Sequence, residues 1–155
     1  MEKVSLSASR FNRKARERLL YIATGLVVLV ILSISFWVIP HVINDTTPEA
    51  RPEKAVPAFW VLIAIHLVLL AVLIWKILVS RRGGRLRKIG LIIPGIILIL
   101  MSMMLIDAAG AFLEHHPDMF SGAIVLFICS FCDMMAGIIT IMLPVRLPEN
   151  QHKTP

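Results

Sequence analysis

Cys129-Ser130-Phe131-Cys132-Asp133 is the stretch of this 155-residue chain with the most chemistry in it. Two thiols three residues apart, with a carboxylate directly after, form the start of a soft ligand set. Thiolates favour copper(I), and His66 supplies an imidazole, so His66, Cys129, Cys132 and Asp133 are the candidate metal ligands. Met101, Met103 and Met104 stand in a neighbouring apolar run and would extend a copper-like set. The plainer reading is packing, because free cysteine and methionine both serve as adaptable apolar filler. Thiol oxidoreduction fits poorly. The chain holds two cysteines in all, no second pair relays electrons, and Asp133 is the wrong charge to activate a thiolate.

A second cluster, Glu114, His115, His116 and Asp118, surrounds Pro117. These residue types could hold zinc or copper(II). A turn punctuated by proline, with Asp118 capping the next helix, is the better account of them. No glycine-rich phosphate loop, nucleophile elbow or H-E-x-x-H occurs. One mid-membrane histidine cannot give the two axial ligands of a bis-histidine haem. Catalysis is therefore the lesser expectation, and the sequence names no cofactor.

The elements that must position these groups follow from composition. The chain is 57% hydrophobic and 17% charged, with a mean hydropathy of +0.82. Soluble domains carry about 45–50% apolar and about 25% charged residues, so a soluble globule is excluded and a membrane protein is expected. Spanning hydrocarbon takes about 20 apolar residues, and four runs qualify: 19–39, 58–79, 89–112 and 120–143. Lipid offers the backbone no partners, so each must be a helix. The expectation is one all-α domain, a four-helix transmembrane bundle over residues 1–155. Its remaining parts are a basic segment 1–18, an extended outer loop 40–57 with prolines at 48, 52 and 57, a basic loop 80–88, an outer turn 113–119 and a tail 144–155.

The net charge of +6 comes from 16 Lys and Arg against 10 Asp and Glu. In a soluble domain this would suggest nucleic acid. Here the distribution excludes that partner and points to orientation. Lys3, Arg10, Arg13, Lys14, Arg16 and Arg18 precede the first span, while Arg81, Arg82, Arg85, Arg87 and Lys88 lie between the second and third. Arg51 and Lys54 are the basic residues of the other side. The positive-inside rule places both termini and the middle loop in the cytoplasm, against anionic inner-leaflet lipids. Short loops and compactness favour a bacterial inner membrane, with the ER or a mitochondrial membrane the alternatives.

Polar groups within the spans are costly unless they face the bundle interior. Asp133 lies 13 residues after Phe120 and 13 before Arg146, or about 20 Å from either by helical rise. His66, Ser33, Ser102 and Cys129 fall within about 8 Å of its depth by the same rise, so His66 and Asp133 are expected to pair within that layer. Gly122, Cys129, Asp133, Ala136, Gly137 and Thr140 share one helix face, a small and polar stripe suited to close packing. Asp107 sits too near the outer end of its span to join them. The expected function is a non-enzymatic accessory or assembly subunit, acting through helix contacts in a homo-oligomer or larger complex. The alternative is a small transporter or a metal- or proton-handling protein using the polar layer.

Overall fold

The computed structural model describes residues 2–43, 52–81, 89–115 and 120–143, all but the last of them helical. Helix α1 runs Glu2–Ser33, passes through a π-helical turn Ile34–Val38, and continues as α2, Ile39–Ile43. Then follow α3 (Pro52–Arg81), α4 (Ile89–His115) and α5 (Phe120–Met142). Four segments are long and apolar enough to cross a membrane: Lys14–Val38, Val56–Ser80, Gly90–Ala111 and Phe120–Met142.

Several boundaries differ from the sequence expectation, most of all the starts of α1 and α3, while α2 and α4 run on to Ile43 and His115 past the expected 39 and 112. Helix α1 begins at Glu2, because residues 2–18 contain no Gly or Pro and are rich in Lys, Arg, Glu, Ala and Leu. Once the span has formed, propagating outward through good helix formers costs little. Helix α3 starts at Pro52, six residues before the expected 58 and inside the segment expected to be extended. Proline suits a first helical position, where its missing N–H has no partner to lose. The Glu114–Asp118 cluster falls largely outside the described residues.

The π-helical turn has a local cause in Pro40. A proline has no N–H to give the carbonyl four residues back, and its ring crowds that carbonyl, here Phe36. The backbone widens just before it, and the Ile39 N–H bonds the Ile34 carbonyl, five residues back. The extra residue per turn keeps Ile34, Val38, Ile39 and Val42 buried on one side.

Close backbone approaches join α1 to α3, α1 to α5 and α4 to α5, while α2 and the π-helical turn lie against α3. Among the described residues, α3 has no extended close interface with α4 or α5. Two apolar clusters form the core. One contains Val30, Ile34, Leu62, Leu105 and Leu126, the other Leu20, Val27, Leu73, Leu91 and Leu98. Large apolar side chains also cover the outside of every spanning helix, among them Phe36, Trp75, Leu100 and Phe131. In water such a surface would aggregate, whereas against acyl chains it is at home.

Helices α4 and α5 pack by a repeat of small residues. A Cβ added at Gly137 would stand 2.8 Å from the Gly95 carbonyl oxygen and 2.8 Å from Ile99 Cγ1. Seven residues along, Ser102 and Ser130 meet side chain to side chain at 3.1 Å. In the same antiparallel register another seven residues on, Ala109 and Ala123 are both buried. Gly, Ser and Ala thus stand opposite Gly, Ser and Ala at heptad spacing, which lets the two backbones approach closely. At the other end of this hairpin the Lys76 side chain lies over Gly90, where any Cβ would displace it.

Gly137→Val should therefore push α4 from α5 and lower stability by about 1–3 kcal/mol, as overpacking does. Gly110→Ala, where an added Cβ meets nothing within 4 Å, should be neutral or slightly stabilising. Thermal unfolding in detergent reads both, and equal stability of the two variants would contradict the tight α4–α5 seam.

Candidate functional site: a buried polar layer

The site grows from α5. Its buried side is made of small or polar residues over its whole length, including Gly122, Cys129, Ser130, Asp133, Gly137 and Thr140. Helical spacing of three and four puts them on one stripe. Asp133 is fully buried there, between Cys132 of one apolar cluster and Ala136 of the other. His66, also fully buried, stands on α3 between Ile63 and Leu69, which divide between the same two clusters. The polar pair separates the two halves of the core.

His66 Nε2 lies 2.8 Å from Asp133 Oδ2, and His66 Nδ1 lies 2.8 Å from the Leu62 carbonyl oxygen on its own helix. A carbonyl can only accept, so Nδ1 carries a hydrogen and donates it. The contact with Asp133 then has two forms. Either the acid O–H donates to a bare Nε2, or an Nε2–H donates to the carboxylate. In both forms one proton lies between His66 Nε2 and Asp133 Oδ2, and the pair as a unit is neutral. That is how an aspartate and a histidine can share a dry interior where an isolated charge would be prohibitive. Asp133 Oδ1 has no hydrogen-bond partner among the described residues.

The neighbouring groups are committed elsewhere. The Ser33 hydroxyl lies against the Cys129 thiol. Ser102 is held by Ser130, whose hydroxyl also donates to the Ser102 carbonyl oxygen at 3.0 Å. Thr140 donates to the Ala136 carbonyl at 2.6 Å, turning its hydroxyl back onto its own helix. Cys129 and Cys132 are free thiols, both buried. Asp107 is exposed near the far end of α4 and away from the layer.

Of the four candidate metal ligands, the structure brings His66 and Asp133 together directly. Among the described residues no three His, Cys, Asp or Glu side chains gather into a metal-sized group. Ser130 is the residue that sequence reasoning missed. It was read as the interior of a C-x-x-C, yet it stands seven residues before Gly137, as Ser102 stands seven after Gly95. That matched spacing was the available signal.

The fold and its interior define an all-helical bundle of four helices able to span a membrane, closed around a neutral His–Asp pair. Comparison with protein families, with curated proteins and with solved structures finds no match to this chain.

The pair predicts a specific mutational pattern. Asp133→Asn keeps an N–H to donate to Nε2 and should be mild, whereas Asp133→Leu strands the imidazole and should cost about 1–3 kcal/mol. Adding His66→Ala to Asp133→Leu should then cost little more, because partners in one network are not additive. Thermal unfolding in detergent of the wild type, both Asp133 variants, His66→Ala and the Asp133→Leu/His66→Ala double checks this, and fully additive losses in the double would show that the two side chains are not coupled.

Proposed function

We propose that this chain is a non-enzymatic multi-pass membrane protein that works through its helix surfaces, as an accessory or assembly subunit of a larger membrane complex or homo-oligomer. The observation that carries this reading is the inward commitment of its polar chemistry. His66, Ser102, Ser130, Asp133 and Thr140 are all buried, and each bonds another group inside the bundle. Apart from Asp107 near the end of its span, what the spans offer outward is mainly apolar helix surface, Phe127 and Phe131 of α5 included. Photo-crosslinkers at these two positions, activated in native membranes, should trap one protein of defined mass. Adducts with lipid alone would overturn the reading.

Proton handling is the second reading, favoured by the unpartnered Asp133 Oδ1 beside a proton that two groups share. Proteoliposomes separate the two. The accessory reading expects no proton flux above that of empty vesicles. The proton-handling reading expects a flux that Asp133→Asn abolishes while the fold survives, since an amide does not titrate.

Both termini and the basic loop 80–88 belong in the cytoplasm in this proposal, in a bacterial inner membrane. An even number of crossings returns the two chain ends and that loop to one side of the membrane, and every basic residue except Arg51 and Lys54 belongs to that side by sequence. Reporter fusions after Pro155 should be active only in cytoplasmic form, and an externally active fusion would reverse the orientation.

A further inference from the structure

The basic end of the bundle holds a groove that the polar layer and the helix seams do not use. It lies between the start of the first span and the last turn of α5, with a volume of about 310 Å³, and is lined by Arg16, Leu19, Ile138, Met142 and Leu143 among others. Arg16 is half-buried at its rim, and its Nε is enclosed with no hydrogen-bond partner among the described residues. A second hollow shares Ala15 and Leu19 with the first and adds Lys14 and Arg18. Arg16 thus rims a recess whose floor is aliphatic, and Lys14 and Arg18 line the neighbouring hollow.

We propose that this groove binds one anionic phospholipid, its phosphate at Arg16 and an acyl chain along Leu19, Ile138 and Met142. The chemistry is complementary at both ends. A guanidinium is planar, weakly hydrated and suited to phosphate oxygens, and a buried donor left unpaired is costly until an acceptor reaches it. A phosphate supplies that acceptor with a full charge, which makes the bond shorter and stronger than a neutral one. The aliphatic floor lies on the bilayer side of the cations, where the chains of a lipid anchored at Arg16 must run. Free phosphate would satisfy Arg16 but leave the floor unused, and a zwitterionic lipid would bring its own cation to a site that already holds Arg16, with Lys14 and Arg18 in the next hollow. This goes beyond diffuse attraction of a basic segment to a charged surface, since it assigns one position and one stoichiometry. It rests on the chain spanning a membrane, which is read separately by whether the wild-type protein needs detergent to stay monodisperse.

The test is native mass spectrometry of the full chain released from detergent with equimolar phosphatidylglycerol and phosphatidylcholine. The wild type should retain one phosphatidylglycerol with about tenfold preference, the scale of one charge-assisted hydrogen bond. Arg16→Gln should bring the preference close to unity. Lys76→Gln makes the same charge change at a residue of α3 that lies over Gly90 and does not line the groove, and should leave the preference intact. Met142→Trp, which fills the groove with Arg16 in place, should lower retention as well, and it keeps the test valid if Arg16→Gln folds poorly. Equal losses from Arg16→Gln and Lys76→Gln would mean surface electrostatics and overturn the site. So would a wild type without preference, or inorganic phosphate competing the lipid away.

Discussion

Hydrocarbon gives a polar group no hydrogen-bond partner, and the rest of this structure follows from that lack. It makes each span a helix, because only a helix satisfies its backbone within one segment. It also removes the usual driving force for packing, since a leucine gains little by exchanging lipid for another leucine. What remains to hold four helices together is close contact and internal polar bonding. The chain uses both, in different places. Along α4 and α5 small residues let two backbones nearly touch, at Gly95 and Gly137 above all. Across the bundle, His66 reaches Asp133 from a helix that has no extended close interface with α5.

These two devices select for different things. Dispersion contacts between close backbones fall off steeply with distance, so the small-residue seam fixes separation and register. The Ser102–Ser130 bonds reinforce the same register two turns away. A hydrogen bond between long side chains tolerates some change of separation but not a missing partner. The His66–Asp133 bond therefore fixes which face of α3 turns inward more than how near α3 must come. With Nδ1 tied to the Leu62 carbonyl, the imidazole has little freedom to turn away from the carboxylate.

The apolar runs made the spans legible within a few residues, and α4 and α5 begin where their runs begin, at 89 and 120. The outer extents of α1 and α3 were not legible, because a helix that leaves the membrane loses the apolar signal while its hydrogen bonding continues. The π-helical turn was implicit in Pro40, but a proline near the end of a span reads first as a terminus. In the site, helical rise alone brought His66 and Asp133 to one depth, and α5's small and polar face was visible from its spacing. The tie between Ser102 and Ser130 was hidden. Its signal lies in the register between two helices, and that register depends on how their glycines meet.

The orientation of the first helix's inner face shows how these constraints combine. Ser33 stands just before the π-helical turn and lies against Cys129, one turn from Asp133 on α5. An unbroken α-helix would carry the stripe of Val27, Val30 and Ile34 onward at 100° per residue. Insertion of one residue resets that phase, so that Val38, Ile39 and Val42 still face inward beyond Ser33. Pro40 thus brings a local correction of helical pitch to this end of the span, the kind of mismatch between helical period and packing repeat that coiled coils resolve by supercoiling. The polar layer sits where that correction begins, which keeps Ser33 beside Cys129 while the apolar contacts continue on either side of it.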